Sequence, residues 1–255
     1  PYGGVKEFIY AHDDEVIVEG PAETGKTLGA CWKIHTQASK YPNARIALIR
    51  KQQTDIYGSV WETLKKVIEG LPIRIYGGEK PERLMYPNGS TIYIGGMDKA
   101  SKVLSSERDI IYFNQVEEGS LKDWEYLTTR VTGRGSVMPY TQLIGDCNPD
   151  HPQHWIKTRA KAGHLRLIPT THYDNPTLFD RDGNITDQGI RTMAVLNRLS
   201  GSRRLRLKDG IWGAPEGAIY DVYDDDKHKV EAFEIPLSWP RAAGVDPLGV
   251  YTAVV

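Results

Sequence analysis

Short apolar runs alternate along the chain with segments whose apolar residues recur every three or four positions. Val16–Val18 is a β-branched run that stops at Gly20. Leu28 to Ser39 has helical character and ends before Pro42, and Ile46–Ile49 is again a strand-like run. Asp55 to Ile68 predicts an amphipathic helix, with Ile56, Val60, Leu64 and Val67 on one face. Leu84–Tyr86 and Thr91–Ile94 flank Pro87-Asn-Gly-Ser90, a hairpin turn signal. Ile110–Phe113 predicts a buried strand, Leu121 to Thr129 a helix, and Tyr140–Ile144 a further strand followed by the turn residues Gly145-Asp-Cys-Asn-Pro149. Strands and helices in this order predict an α/β sandwich around a mostly parallel sheet.

Beyond Thr170 the pattern changes. Asp174–Pro176 and Asp182–Asn184 are rich in turn residues, and Thr186 to Leu207 is mostly helical, carrying Arg191, Arg198, Arg203, Arg204 and Arg206. Gly213 to Asp226 is rich in Gly and Asp. The expected organisation is a core over 1–170, a helical subdomain over 171–215, a linker over 216–240 and a new strand opening at 241–255. No internal repeat or low-complexity tract interrupts it.

Composition narrows the class. The chain has 255 residues, 40% of them hydrophobic and 25% charged, which is ordinary for a globular protein and argues against disorder. At about 150 residues per domain, one large domain or one with a small appendage is expected. Lys and Arg number 32 and Asp and Glu 33, a formal charge of -1, so no global charge points to nucleic acid and only a local basic patch is open. Cys31 and Cys147 lie far apart in no metal-ligand spacing, and reduced, partly buried thiols are expected. No apolar run approaches a membrane span and no signal-peptide pattern opens the chain, so a soluble, cytosolic protein is expected.

Gly20-Pro21-Ala22-Glu23-Thr24-Gly25-Lys26-Thr27 fits G-x-x-x-x-G-K-[ST] between a predicted strand and a predicted helix. In such a loop consecutive backbone N–H groups curl around phosphate oxygens and the helix presents its positive end. Gly20 and Gly25 permit the tight backbone, Lys26 pairs with the β- and γ-phosphates of ATP, and the Thr27 hydroxyl ligates Mg²⁺. The second element of such sites is an apolar strand ending in Asp, then usually Glu. Here Ile110–Phe113 is followed by Asn114 and Gln115, then Val116, Glu117 and Glu118. An amide takes no proton from water, so Gln115 is a poor general base. Asn114 can hold a Mg²⁺-bound water through its carbonyl oxygen. The base role passes to Glu117 or Glu118, or else both merely open the following helix, where acidic residues suit the positive end.

Several ordered stretches resemble the large terminase subunit of tailed bacteriophages, the ATPase motor that packages DNA. Arg45–Arg50 with Lys51 resembles its strand and arginine-bearing loop, and Asn114 to Arg130 its Walker B segment and helix. Gly145-Asp-Cys-Asn-Pro149 with His154-Trp155 is similar to its coupling motif. Thr171-His-Tyr-Asp-Asn-Pro-Thr-Leu178, Gly210-Ile-Trp-Gly213 with Glu216-Gly217, and Gly244-Val-Asp246 follow in family order, the last resembling the first strand of an RNase-H-like nuclease. The resemblance covers nearly the whole chain. It departs at Asn114 and Gln115, where the family usually has acids, and in carrying only the first strand of the nuclease.

The resemblance implies a P-loop NTPase of the additional-strand catalytic-glutamate type: a mostly parallel central sheet with helices on both faces and a small helical lid over 171–215. It implies ATP hydrolysis with Mg²⁺, coupled to non-sequence-specific translocation of double-stranded DNA into a procapsid. Partners are a portal protein, a small terminase subunit and further copies in a ring, with no membrane; the place is the host cytoplasm, docked transiently on the procapsid. Lys26, Arg50, Glu117 and Glu118 are its catalytic candidates. Gly20 to Thr27, Asn114, Gln115 and Asn148 are its nucleotide-binding candidates, with Asn148 either a γ-phosphate sensor or a plain Asn-Pro turn. A phosphate-reaching arginine comes from Arg50, Arg108, Arg130, Arg134 or a neighbouring subunit. DNA contact falls to the 129–136 loop with Lys99 and Lys102, or to Arg198–Lys208, which is alternatively the lid. Asp246 alone cannot hold two metals, so this ATPase-domain fragment is expected not to cleave DNA. A nucleotide-regulated assembly module with little hydrolysis, and another P-loop enzyme such as a helicase, are the competing readings.

Overall fold

A computed structural model describes residues 1–99, 107–134, 136–213, 228, 230–240, 245–246 and 253–254. The chain forms two compact units, Pro1–Val222 and Tyr223–Val255. In the second, the backbones of β9 (Val245–Asp246) and β10 (Ala253–Val254) pair antiparallel. Lys102, Gly135, Glu216, Gly217, Gly244 and the side chain of Asp246 lie outside the described residues.

The first unit is built on an eight-stranded sheet in the order β3-β4-β5-β2-β6-β7-β1-β8. Its strands are β1 (Glu15–Glu19), β2 (Arg45–Arg50), β3 (Arg74–Tyr76), β4 (Arg83–Met85), β5 (Thr91–Gly96), β6 (Ile110–Asn114), β7 (Gln142–Cys147) and β8 (Arg166–Pro169). From β5 to β8 every pairing is parallel, and at the other edge β4 alone is reversed, pairing antiparallel with both β3 and β5. Alternate residues of the central strands feed two separate cores, as the period of two requires. Val16, Val18, Ile46, Leu48, Ile110, Tyr112 and Ile144 pack with Ala30, Ile34 and Leu64 on one face. Ile17, Ala47, Ile49, Ile111, Phe113 and Leu143 pack with Trp124, Leu127 and Ile156 on the other. The first face is covered by helices α1 (Gly3–Tyr10), α2 (Lys26–Lys40) and α4 (Val60–Ile68), the second by α5 (Leu121–Thr128) and α6 (Trp155–Lys161). The expected mostly parallel sheet with helices on both faces is therefore present. The buried Lys33 of α2 donates from Nζ to the carbonyls of Phe8, Ile9 and Ala11, satisfying the end of α1.

Four local readings differ. The single helix expected over 55–68 is broken into α3 (Thr54–Tyr57) and α4. Arg50 Nη1 donates to the Asp55 carbonyl at 3.1 Å and to Ser59 Oγ at 2.8 Å, while Ser59 N turns to Ile56 O. The carbonyl that would carry the helix across Gly58 is thereby taken. The strand expected at 140–144 runs instead over Gln142–Cys147. Tyr140 stacks on His12 at 4.3 Å, and Gly145, Asp146 and Cys147 lie inside the ladder against Phe113, Asn114 and β1. Strand β3 gave no signal because it has three residues, all exposed. The helical run expected over 186–207 splits into α7 (Asp187–Leu196), capped by Thr186 Oγ1 on Gly189 N, and α8 (Gly201–Arg204), which continues into a π-turn at Leu205–Asp209. Among the described residues no helix is long and apolar enough to cross a membrane. Cys31 and Cys147 are both free and buried.

Candidate active site

The loop between β1 and α2 lies at the carboxyl edge of the parallel strands, where open α/β sheets place their ligands. Gly20 opens it with φ +148, and a Cβ there would come within 2.3 Å of Thr170 Oγ1. Gly25 is left-handed at φ 87 and starts α2, so its neighbours' N–H groups turn inward without strain. Lys26 is buried and folded onto its own loop. Its Nζ donates to the carbonyls of Gly20 and Pro21, to Thr24 Oγ1 at 3.3 Å and to Asn148 Oδ1 at 3.2 Å. Burial lowers its pKa, opposed by the nearby charges of Asp146 and Glu117.

Two strand ends face this loop. On β7, Asp146 receives a hydrogen bond from Thr27 Oγ1 on Oδ2 at 2.5 Å. Its Oδ1 accepts from Tyr112 Oη at 2.9 Å, Asn114 Nδ2 at 2.9 Å and Gln115 N at 3.0 Å. On β6, Asn114 is 2% exposed, and its Oδ1 has no hydrogen-bond partner within the chain. Gln115, directly after the strand, takes a left-handed conformation, φ 50 and ψ 58, which is unfavourable for a residue with a Cβ. That turn swings the short 3-10 segment Val116–Glu118 back toward the loop.

The two glutamates separate there. Glu118 pairs with Arg50 at 2.9 Å, and Arg50 also donates to Gln115 Oε1. Glu117 is half-buried, with its carboxyl turned inward beside Asn148, whose N donates to Glu117 Oε1 at 3.0 Å and whose Nδ2 donates to it at 3.3 Å. The other oxygen, Oε2, is buried without a partner. Burial pushes the Glu117 carboxyl up to about 7, helped by the negative charge of Asp146 and opposed by Asn148 N–H and Lys26. Asn148 thus bridges Lys26 to Glu117.

His154 and Trp155 hold this arrangement from behind. His154 Nδ1 accepts from Ile156 N, which leaves Nε2 to donate to Glu117 O at 3.3 Å, and Trp155 Nε1 donates to Gly119 O at 2.8 Å. The role requires a neutral imidazole, and burial lowers the His154 pKa. The segment after α8 covers the loop. Ala22 N donates to Leu207 O at 2.9 Å, Arg206 Nε to Pro149 O at 2.7 Å, and Trp212 Nε1 to the carboxyl of the half-buried Glu19. Arg206 also pairs with Asp150, and Arg204 and Lys208 with Asp209, so much of the expected basic cluster is engaged locally. Asn175 Nδ2 reaches Glu23 O at 2.7 Å.

The structure brings Lys26, Thr27, Asn114, Glu117 and Asn148 together around the loop, and sets Arg50, Gln115 and Glu118 beside them as a separate cluster. Arg108 and Arg130 are not brought there. Arg108 N bonds to Arg130 O just before β6 begins, at the opposite edge of the sheet, and the Arg108 guanidinium lies over the Tyr93 ring at 4.3 Å. Among the described residues no group of three or more His, Cys, Asp or Glu side chains could hold a metal ion unaided.

A family model described as phage terminase large subunit matches residues 12–187. The chain belongs to the phage terminase large subunit family. No curated protein matches it. The large terminase of a thermophilic bacteriophage in complex with ADP is similar in structure, with TM-score 0.67, 19% identity, and 96% of this chain and 62% of that chain covered. The same enzyme in complex with ATP-gamma-S gives TM-score 0.66 at 17% identity, covering 96% and 61%. The large terminase ATPase domain of Thermus phage P74-26 gives 0.55 at 10% identity, covering 83% and 94%. These likenesses show a terminase ATPase-domain fold. The chain spans about three fifths of the thermophilic-phage large terminases it matches.

Sequence reasoning missed Asp146, Tyr112 and the backing role of His154 and Trp155. Asp146 was legible only as a turn residue. The available signal was a carboxylate one strand away from an amide that occupies an acid's usual place.

Proposed function

We propose that this terminase chain is an ATP-hydrolysing motor domain that couples hydrolysis to translocation of double-stranded DNA into a procapsid. The observation that carries the reading is the Lys26–Asn148–Glu117 chain of hydrogen bonds, which links a phosphate-binding loop to a buried carboxylate with a free oxygen. The donor set fits a nucleoside triphosphate with a hard cation. Loop N–H groups and Lys26 suit phosphate oxygens. The Thr27 hydroxyl and the partnerless Asn114 Oδ1 are oxygen donors of the kind Mg²⁺ takes, and such cations keep several waters. The cation supplies charge neutralisation on the phosphates when bound.

In this reading Lys26 leaves its loop carbonyls for the phosphates, which frees Asn148 Oδ1 to report their presence. Glu117 accepts a proton from the attacking water at Oε2. Its raised pKa matches a base working near neutral pH. Glu118, paired with Arg50, is the weaker candidate. Arg50 becomes available to phosphate only if that pair opens, so an arginine from a neighbour in a ring completes the site. The 171–215 segment serves as lid and 216–240 as linker to a nuclease whose first strand holds Asp246. Portal and small terminase subunit are the partners, in the host cytoplasm at the procapsid. The amides Asn114 and Gln115 favour a second reading, an assembly module that binds nucleotide with little turnover.

ATP turnover with and without duplex DNA, across a protein dilution series, tests this. The motor reading expects turnover that rises with protein concentration and with DNA, and that is abolished in Lys26→Ala. Nucleotide binding with no turnover under any condition would select the assembly module. Turnover unchanged in Lys26→Ala would remove the site assignment.

A further inference from the structure

We propose that Asp146, at the end of β7, is the carboxylate that anchors the Mg²⁺ of bound nucleotide, in place of the acid absent from the end of β6. The proposal rests on the ATPase reading and deepens it.

Three observations carry it. The first is register. Asn114 and Asp146 are paired residues of adjacent parallel strands, and Asp146 is in turn paired with Val18 of β1, the strand that feeds the loop. Moving a carboxylate from one to the other shifts it by one strand spacing, about 4.8 Å, and leaves it at the same sheet edge. It also brings it nearer β1. The second is the contact between Thr27 Oγ1 and Asp146 Oδ2 at 2.5 Å. In phosphate-loop sites the loop hydroxyl and one acid hold the same cation, and here the hydroxyl already meets a carboxylate. The third is the fixed amide. Asn114 Nδ2 donates to both oxygens of Asp146, at 2.9 and 3.2 Å, so the amide cannot be flipped without setting its oxygen against the carboxylate. That orientation leaves Asn114 Oδ1 buried with no partner, beside the same carboxylate. An unsatisfied buried oxygen is costly unless something polar meets it, and a cation-bound water does so.

A purely structural clamp would also use Asp146 to tie Tyr112, Asn114 and Gln115 at the strand ends. It would have no reason to favour a particular metal. The test is therefore metal-dependent nucleotide affinity, not turnover. A fluorescent ADP analogue is titrated into the wild-type chain, Asp146→Asn and Asp146→Cys, each in EDTA, Mg²⁺ and Cd²⁺. Measured against its own affinity in EDTA, the gain that Asp146→Asn draws from Mg²⁺ is expected to fall about tenfold or more. Asp146→Cys is expected to transfer that gain from Mg²⁺ to Cd²⁺, because a thiolate prefers the softer ion. A wild-type gain from Mg²⁺ that survives in Asp146→Asn overturns the proposal alone. If Asp146→Asn also loses binding in EDTA, the cysteine variant decides, and a gain there that stays with Mg²⁺, or comes from neither ion, overturns it. A wild-type chain that binds no nucleotide in any buffer overturns the ATPase reading and this proposal together.

Discussion

The ends of β6 and β7 lie side by side, yet they present opposite chemistry. β6 ends at Asn114 and is followed by a second amide, Gln115, and β7 ends in Asp146 and Cys147 and is followed by Asn148. The amides are oriented by the acid: Asn114 Nδ2 and Gln115 N both donate to Asp146. The acid in turn meets the loop hydroxyl of Thr27. What matters chemically is a negative charge at this point of the sheet edge. Which strand carries it is secondary, because parallel register makes paired positions on neighbouring strands near-equivalent in space. The proposed base behaves differently. Glu117 reaches the loop only because Gln115 takes a left-handed turn and Asn148, His154 and Trp155 hold the segment behind it.

The largest expected effect comes from breaking the β6 side of this comparison. Glu117→Gln is expected to lower kcat by about 10²–10⁴, the usual contribution of a positioned base, with nucleotide affinity preserved. Glu118→Gln is expected to cost much less, because it unpairs Arg50 rather than removing the proton acceptor. Single-turnover ATP hydrolysis of the two variants measures the difference. Equal losses would mean that the two glutamates act as one unit.

A smaller effect sharpens the link between the strand ends. Below its pKa Glu117 is protonated and accepts no proton, so kcat/KM for ATP should rise with pH and level off above about 7. The negative charge of Asp146 contributes to that raised value. Asp146→Asn should therefore move the midpoint to lower pH in whatever activity remains. A pH–rate profile with no ionisation near neutrality, in a variant series that shifts nothing, would separate Glu117 from the base role.

Legibility in the sequence followed how local each feature is. The Gly20–Thr27 loop, the hairpin at Pro87–Ser90 and the central strands are specified by neighbours in the chain, and all were readable. The break at Gly58–Ser59 was not, because it depends on the Arg50 guanidinium capturing the Asp55 carbonyl. Asp146 was read as a turn residue, since Gly145-Asp-Cys-Asn-Pro149 carries a turn composition. Only pairing on both sides, to β6 and β1, keeps it in the strand. The distinction between Glu117 and Glu118 also needed long-range partners, Asn148 for one and Arg50 for the other. Site residues whose roles are set by contacts across strands leave no periodic trace.

The smallest expected effect isolates the support of Asp146 from its chemistry. Tyr112 is wholly buried on β6, and its hydroxyl donates to Asp146 Oδ1 at 2.9 Å while accepting from Asn114 Nδ2 at 3.2 Å. Tyr112→Phe removes this hydroxyl and keeps the ring. Asp146 Oδ1 retains Asn114 Nδ2 and Gln115 N, and Oδ2 retains Thr27, so the carboxylate stays on the loop side. Losing one hydrogen bond to a buried charged group costs about 2 kcal/mol, which lowers Tm by roughly 4–8 °C in a domain of this size. The gain in nucleotide affinity from Mg²⁺ should change by less than about threefold, because the oxygen facing Thr27 keeps its contact. Thermal melting and the same fluorescent-nucleotide titration read the two quantities separately. A Tyr112→Phe variant that loses the Mg²⁺ gain as fully as Asp146→Asn, at little cost in Tm, would show that the hydroxyl sets the position of the carboxylate, and the two strand ends would then have to be treated as one catalytic unit.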